Sequence, residues 1–207
     1  MLCIIYAMKN NVIEKLNWRY ATKVFDKSKK LSEDDLNILL ESLRLTPSSF
    51  GLQPWKFVLV KNIDLREKIK DASYGQTQMT DASDLIVLCA KETLTEDDVV
   101  KITGNNEGYK NMIMGSIKNK SNDEILNWNA KQVYLALGFL LETAAIMNID
   151  ACPMEGFDNK KVDEILGLNE KGLKSVVICP VGYRSEDDKY ANNPKFRFPQ
   201  SELVTIL

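Results

Sequence analysis

The sequence predicts one α+β domain that is built around a mostly buried sheet. Two segments are apolar on both faces, as strands are when helices cover both sides: DLIVLCAK at 84–91 and LKSVVICPVGYR at 173–184. Helical patterns alternate with them, and the longest spans residues 123–148. No linker or repeat divides the 207 residues, which are 44% hydrophobic. Residues 1–207 are therefore expected to be a single domain with a sizeable core, and residues 1–7 would be an upstream extension if Met8 is the initiator.

The elements of the first half follow from periodicity and capping. Val12, Ile13 and Leu16 fall on one face of a short amphipathic helix. Ser32 is the expected N-cap of a second helix, with Asp35 completing a capping-box pattern and leucines following at helical spacing. The loop TPSSFGLQP at 46–54 ends that helix, and WKFVLVKN is typical of a strand. A short helix is expected over DLREKIKDA.

The second half is expected to be mainly helical around its strand. Residues 92–122 are polar with scattered Met and Ile, which predicts a helical lid. The long helix becomes apolar almost all round from Val133, as is typical of a helix in a core or between subunits. A further helix, NKKVDEILGL, should end near Gly167. The C-terminal SELVTIL is predicted to be a last strand.

The composition excludes several kinds of active site and partner. Without histidine there can be no Ser-His-Asp triad, no Cys-His pair and no His-liganded zinc. The net charge of −2, with both signs interspersed, gives no reason to expect a nucleic acid. No segment is long enough to cross a membrane. Cys89 and Cys179 sit inside apolar runs, which indicates buried thiols of a reduced, cytoplasmic protein.

Two segments carry polar residues that a core does not need. In WRYATKVFD, Arg19 and Lys23 are four residues apart and would share a face if the first helix continues. They suit an anion, although a solvated basic helix end is the commoner explanation. The rigid loop at 46–54, with its hydroxyls and free amides, is either a ligand edge or simply a turn.

Two more such segments lie towards the C-terminus. In CPMEGF, Gly156 lets the backbone approach a ligand, while Glu155 is a catalytic acid or, more often in such a sequence, ordinary turn chemistry. In NNPKFRFPQ, Lys195 and Arg197 alternate, so in extended chain both point the same way. Such a pair suits a phosphate, or else protects an exposed edge by its charge. The glycine-rich signatures of dinucleotide and P-loop sites are missing.

The order of these motifs resembles the nitroreductase family, and in particular its oxygen-insensitive nitroreductases and dihydropteridine reductases. The resemblance runs from about Val12 to Leu207 and is carried by RYATKVFD, TPSSFGLQPWKFVLV, DASDLIVLCAK, AKQVYLALGFLL, PMEGFD, VVICPVGYR and NPKFRFPQ. It implies an FMN-dependent, NAD(P)H-oxidising flavoprotein with a central, mostly antiparallel sheet flanked by helices. It also implies an intertwined homodimer in which two FMN sites are shared between the subunits.

The resemblance further implies which residues hold the cofactor, and it assigns the chemistry to FMN rather than to a metal or a catalytic side chain. Lys23 would lie near N1 and O2 of the ring, Pro47, Ser48 and Ser49 would come from the other subunit, and Lys195 and Arg197 would bind the phosphate. The implied cofactor contacts are Arg19, Tyr20, Ala21, Lys23, Pro47, Ser48, Ser49, Gly51, Gln78, Gln132, Pro153, Met154, Glu155, Gly156, Lys195 and Arg197. Ala21, Gly51 and Gln78 stand where relatives often have Ser, Asn and Lys.

The implied activity is a ping-pong reaction in which NAD(P)H reduces the flavin and an electron-poor acceptor then takes the hydride. Nitroaromatics, quinones and pterin-like rings are the expected acceptors. The segment 105–120 is similar to a variable helical region that borders the substrate pocket, and here it supplies Tyr109, Ile113 and Met114. The alternative is a non-catalytic protein that binds a flavin or nucleotide.

Overall fold

A four-stranded sheet in the order β1-β2-β4-β3 forms the centre of the computed structural model, which describes residues 12–207. The strands are β1 Trp55–Leu59, β2 Asp84–Lys91, β3 Asp150–Ala151 and β4 Leu173–Gly182. Every neighbouring pair is antiparallel, so the predicted α+β class with an antiparallel sheet is confirmed. Cys3 and the possible initiator Met8 belong to residues 1–11, which lie outside the described part of the chain.

The two central strands, β2 and β4, are buried on both faces, as their apolar sequences predict. Successive residues of β2 serve different cores because side chains alternate across a strand. Leu85, Val87 and Cys89 pack with the helices Ile63–Ala72 and Asn159–Leu166, whereas Ile86 and Leu88 pack with the helices Glu33–Arg44 and Asn122–Ile146. Both predicted buried strands and their buried cysteines, Cys89 and Cys179, are confirmed.

Helices cover both faces of the sheet, and their termini follow the predicted signals. The Ser32 hydroxyl accepts a hydrogen bond from the amide of Asp35 over 3.0 Å, and Gly167 ends α8 in the left-handed region at φ 60°. Ser121 and Glu124 form a capping box at the start of the longest helix. The helices are α1 at 12–18, α2 Glu33–Arg44, α3 Ile63–Ala72, α4 Gln78–Asp81, α5 Glu96–Thr103, α6 Glu107–Ile117, α7 Asn122–Ile146, α8 Asn159–Leu166 and α9 Gln200–Leu203.

The polar region 92–122 is helical, as predicted, and α5 and α6 form it. A third apolar cluster, separate from the two that pack on the sheet, fastens these helices to the 46–54 loop and to the start of α7. Its buried members are Leu52, Leu94, Val99, Ile113, Ile117 and Ile125.

Two predictions about local structure are wrong. The helix α1 does not continue to Lys23, because the chain leaves it after residue 18 and pairs in extended form, with bridges from Ala21 to Ala151 and from Phe25 to Arg184. Arg19 and Lys23 therefore do not share a helix face. The segment SELVTIL is not a strand, since α9 occupies its start and residues 204–207 have no regular structure. Its β-branched residues favour a strand, but none of the described strands pairs with them.

The long helix α7 is buried along one side only in the protomer. Tyr134, Leu135, Phe139 and Ile146 remain exposed on its other side. No helix among residues 12–207 combines the length and the apolarity that a membrane span requires.

Candidate functional site

A short parallel pairing brings together two of the polar segments that the sequence singles out. Ala21 bridges Ala151, and the amide of Thr22 donates to the carbonyl of Ala151 over 3.5 Å. The basic segment 19–25 consequently runs beside β3 and the turn that follows it. Burial raises the pKa of the Cys152 thiol, and the Lys23 ammonium is close enough to oppose that rise. Lys23 and the CPMEG turn therefore lie side by side.

Arg184, at the end of β4, fixes the base of this arrangement. Its guanidinium carbon lies 4.3 Å from the ring centre of Trp18 and 4.5 Å from that of Tyr20. Its Nε donates to Oδ1 of the buried Asp150 over 2.8 Å. Its Nη2 lies 2.6 Å from the same oxygen but is not aligned for a hydrogen bond, so the contact is an ion pair by distance only. The Thr22 hydroxyl also donates to Asp150, over 3.2 Å.

Asp188 holds the basic segment from the other side. Its Oδ2 accepts hydrogen bonds from the Tyr20 hydroxyl over 2.6 Å, from the Lys23 amide over 2.8 Å and from the Val24 amide over 2.9 Å. Burial acts to raise the pKa of Asp188, but these hydrogen bonds outweigh it and lower that pKa below its usual value. Burial and the bond to Asp188 raise the pKa of Tyr20, which therefore stays protonated.

Positive charge accumulates around this segment. Lys195 Nζ donates to the carbonyl of Trp18 over 3.0 Å, at the end of α1. Burial first, and then the charges of Arg184, Arg19 and Arg197, lower the pKa of Lys195. Burial and Arg197 likewise lower the pKa of Arg19.

These cations lack acidic partners of their own. Within residues 12–207, no carboxylate lies at salt-bridge distance from Arg19, Lys195 or Arg197. Arg19 and Lys195 are partly buried and Arg197 is exposed. Cations that repel one another are stabilised by an anion, and the arginine fork suits a phosphate. The sequence suggested two separate basic pairs, Arg19 with Lys23 and Lys195 with Arg197, and the structure brings Arg19 close to the second pair.

The turn after β3, beside Lys23, presents backbone donors. Met154 is buried and pairs with Ile178, its amide donating over 2.8 Å and its carbonyl accepting over 3.0 Å. The amides of Glu155 and Gly156 are exposed and donate to no acceptor in the part of the chain that the structure describes. Gln76, which no sequence signal had indicated, donates from Nε2 to the Gly156 carbonyl over 2.7 Å and so holds the turn.

Glu155 itself is engaged through its side chain. Its carboxylate accepts a short hydrogen bond from the hydroxyl of Tyr134 on α7. Burial and this bond raise the pKa of Tyr134. The carboxylate thus anchors the turn to α7, while the backbone of residues 155 and 156 remains open.

The 46–54 loop is held in a conformation with several left-handed residues. Phe50, Gly51 and Gln53 have φ values of 55°, 69° and 47°. The amide of Ser49 donates to Gln132 Oε1 over 2.9 Å, which places Gln132 against this loop. The hydroxyl of Ser48 accepts from the amide of Gln53 over 2.9 Å. Pro47 precedes this network and is exposed.

The loop and the Glu155 turn contact different sides of α7. Gln132 contacts the loop, whereas Tyr134, two residues on, contacts the Glu155 turn. Residues at this spacing are about 200° apart around a helix. Within one chain, therefore, the loop faces away from the Glu155 turn and its open amides.

An open groove of about 440 Å³ lies against the loop, next to Ser49 and Gln132. Its aromatic walls are Phe50 and Trp128, whose rings meet edge to face with centres 6.1 Å apart. The remaining lining residues are Ser116, Lys120, Glu124, Asn127 and Lys131. The Glu124 carboxylate accepts from the Ser121 amide over 2.8 Å as part of the helix cap.

The residues expected to border a substrate pocket lie elsewhere in this helical region. Ile113 is completely buried in the third apolar cluster, so it is a core residue and the pocket assignment is wrong for it. Tyr109 and Met114 pack partly buried against the same cluster, and the Tyr109 hydroxyl donates to the Phe50 carbonyl over 3.1 Å. Gln78, at the start of α4, is buried as well.

Comparisons with known proteins agree along almost the whole chain. Residues 16–183 match the family model described as the nitroreductase family. A Staphylococcus haemolyticus protein, provisionally named an NAD(P)H nitroreductase, is 36% identical over an alignment that covers 96% of this chain and 98% of that protein.

Solved structures extend the likeness to the fold. A Bacillus subtilis protein, provisionally described as a nitroreductase, has a TM-score of 0.85 at 23% identity, with 96% of this chain and 100% of the other covered. An Exiguobacterium sibiricum protein crystallised in complex with FMN has a TM-score of 0.79 at 18% identity, with 95% and 97% covered. At such identities the two structures establish only the fold of this chain. Its site must be described from its own residues.

Proposed function

The chain belongs to the nitroreductase family, and from that membership we propose that it is an NAD(P)H-dependent oxidoreductase that holds FMN and reduces electron-poor acceptors. The observation that carries the proposal is a set of cations without acidic partners, Arg19, Lys195 and Arg197, joined through the segment of Arg19 to Lys23, which lies beside a turn with open backbone amides. When bound, FMN supplies the hydride chemistry by taking electrons from NAD(P)H and passing them to the acceptor.

The residues of the cluster fit the two ends of such a cofactor. Arg19, Lys195 and Arg197 would hold the phosphate, because they lack carboxylate partners and their mutual repulsion favours an anion. Arg184 would support them from behind, since Asp150 and the ring of Trp18 already hold its guanidinium. Tyr20 and Ala21 belong to the same extended segment and would line the path between the two ends.

Lys23 and the CPMEG turn would serve the ring. A cation at Lys23 stabilises negative charge that develops on a neighbouring group. The amides of Glu155 and Gly156 would be donors, and Pro153 and Met154 would shape the edge beside them. The Glu155 carboxylate, already bonded to Tyr134, is not proposed to transfer a proton.

The loop residues would complete the site of a second subunit. The loop and its partner Gln132 lie on the side of α7 away from the Glu155 turn of their own chain. The loop residues concerned are Pro47, Ser48, Ser49 and Gly51. A homodimer that places α7 near its counterpart would bring each loop to the other cation cluster. Gln78 would remain the nearest residue of α4 to the ring, in a buried position.

The groove beside the loop suits a flat acceptor. Phe50 and Trp128 offer aromatic edges, and Lys120 and Lys131 place positive charge at its border. Nitroaromatics, quinones and pterins are flat rings of about this size. The chain has no histidine, so protons for the acceptor would come from water.

The test begins with colour. Purified protein should take up FMN and become yellow, and NADH or NADPH should bleach it without oxygen. Addition of a nitroaromatic, quinone or pterin should then restore the colour. A protein that takes up no FMN contradicts the proposal. A yellow protein that neither nucleotide bleaches points instead to a non-catalytic flavin binder.

A pair of variants then tests the cation cluster. Replacing Lys195 and Arg197 together by Ala should weaken the binding of FMN by about a hundredfold. The binding of riboflavin, which lacks the phosphate, should stay nearly unchanged. Lys189→Ala, an exposed lysine in the same C-terminal region, is the matched control. Equal losses of affinity for FMN and riboflavin would show that these two cations do not bind the phosphate.

A further inference from the structure

Asp188 stands between the two chain segments that carry the cations. It follows Arg184 in the loop after β4 and precedes the stretch with Lys195 and Arg197. The loop contains three acids, of which Glu186 and Asp187 are exposed, whereas Asp188 is only 3% exposed. Its burial therefore calls for an explanation that the other two do not need.

The contacts of Asp188 are with neutral donors, three of them from a distant part of the chain. One carboxylate oxygen accepts from the Tyr20 hydroxyl and from the amides of Lys23 and Val24. The other accepts from the amide of Tyr190 over 3.0 Å. Within the described residues no cation lies at salt-bridge distance from it.

These contacts indicate that Asp188 positions the chain and does not act through its charge on the cations. A carboxylate that served the cations electrostatically would approach one of them, and it would compete with a bound phosphate. Asp188 instead accepts hydrogen bonds from the backbone amides of residues 23 and 24, in the segment that also carries Arg19. At the same time it ties its own loop, which leads to Lys195 and Arg197, to that segment.

We propose that Asp188 is a positioning residue that holds the N-terminal and C-terminal cations in one arrangement ready for the FMN phosphate. The inference rests on the proposed function, because it concerns the same site. Asp188 does not touch the cofactor. It acts by fixing the segment from Tyr20 to Val24 against the loop that begins at Arg184.

Two substitutions separate the two roles. Asp188→Glu keeps the charge but moves the oxygens by one methylene, so the four donors lose their acceptor geometry. Asp188→Asn removes the charge but keeps an amide oxygen that can still accept from Tyr20, Lys23 and Val24, so that only the bond from the Tyr190 amide is lost. Positioning predicts weak FMN binding for the Glu variant and near-normal binding for the Asn variant. A purely electrostatic role predicts normal binding for Glu and tighter binding for Asn.

The experiment measures the dissociation constants of FMN and riboflavin by equilibrium dialysis. Asp188→Glu should weaken the binding of FMN at least about tenfold. The reason is that buried donors left without an acceptor destabilise the arrangement of chain that binds FMN. Asp188→Asn should stay within about threefold of the wild type, and Asp187→Ala is the exposed control. Thermal unfolding of the cofactor-free variants distinguishes loss of affinity from loss of the fold.

The outcomes distinguish the two proposals. If wild-type protein binds neither flavin, the proposed function fails. If the wild type binds FMN and Asp188→Glu binds it equally well, only the positioning role is overturned. If Asp188→Glu does not fold, Asp188→Asn still tests the positioning role. Near-normal FMN binding by the Asn variant would support that role, and tighter binding than in the wild type would overturn it.

Discussion

Lys131 gives the groove beside Phe50 and Trp128 a positive border, because it makes no salt bridge within the described residues. Lys131→Glu should raise the KM for an anionic acceptor such as 4-nitrobenzoate by about three- to fivefold, the size expected of a solvent-exposed charge pair. The KM for nitrobenzene should change little, since that acceptor carries no charge. Steady-state kinetics with both compounds measures the ratio.

Lys118→Glu is the matched control for that experiment. Lys118 is an exposed lysine that follows α6 directly but does not line the groove. The same change in KM for both variants would mean that acceptors feel only the overall charge of the protein. A change confined to Lys131→Glu would locate the acceptor in the groove.

The described cysteines should be inert in the folded protein. Burial raises the pKa of Cys89 to about 12 and raises the pKa values of Cys152 and Cys179 as well. A raised pKa keeps the thiol protonated below that value, so at pH 8 only about one Cys89 in 10⁴ would be the reactive thiolate. In a Cys3→Ser background, Ellman's reagent should therefore label native protein slowly and label Cys89, Cys152 and Cys179 at once in denaturant. Rapid labelling of native protein would contradict their burial.

Single residues of the site were predictable only where the chain repeats a family motif. Arg19, Lys195 and Arg197 stand out as cations near loops, but their convergence depends on the fold. Asp188 sits in SEDDK, which reads as an ordinary solvated charge run. Three of its four partners lie 164–168 residues away, so no local pattern could have distinguished it from Asp187.

At the scale of elements, one side-chain hydrogen bond connects α6 to the 46–54 loop. Tyr109→Phe removes the donor that satisfies the carbonyl of Phe50, a residue held at a φ of 55°. The free energy of unfolding should fall by about 0.5–1.5 kcal/mol, measured by urea denaturation. Tyr190→Phe, a change at an exposed tyrosine, should have little effect. Equal losses in both variants would mean that the bond to Phe50 contributes nothing specific.

The elements themselves were predicted wherever a local signal coincides with burial. The Ser32 cap, the Gly167 stop and the two buried strands are decided by residues within one element. The exceptions needed distant partners. The segment after α1 becomes extended because Ala151 and Arg184 are there to pair with it. SELVTIL has the composition of a strand but meets no strand edge in the protomer.

At the scale of the whole molecule, the apolar surface of the protomer is the feature that calls for a partner. Tyr134, Leu135 and Phe139 are exposed on α7, and Phe196 and Phe198 are exposed before the C-terminal segment. A further groove of about 750 Å³ lies between α2 and α7, with Ile38, Leu40 and Leu45 on its walls. Contiguous apolar surface of this kind is typical of an interface between subunits.

Deleting residues 199–207 should weaken the proposed dimer and FMN retention together. The deletion removes Leu203, Val204, Ile206 and Leu207, all of which are exposed in the protomer. If they cover a second subunit, their loss reduces the apolar area buried in the dimer and loosens the shared sites. Sedimentation velocity measures the dimer, and the flavin content after gel filtration measures retention.

A double change in the same segment provides the control for the deletion. Ser201→Ala with Glu202→Ala alters only polar side chains of α9 and keeps its apolar ones. This variant should remain a flavin-containing dimer. A deleted protein that also remains one would show that the segment lies outside the interface.

The three tryptophans give the molecule a built-in set of optical probes, because each reports a different region. Trp18 lies under the Arg184 guanidinium at the cation cluster, and Trp128 lies against Phe50 at the groove. Trp55 packs on Phe57 within the sheet, with ring centres 5.7 Å apart. Emission from variants that keep one tryptophan at a time would therefore separate events at the phosphate end, events at the acceptor end and loss of the fold. An anion that binds the cluster would perturb Trp18 alone, and a flat acceptor would perturb Trp128 first.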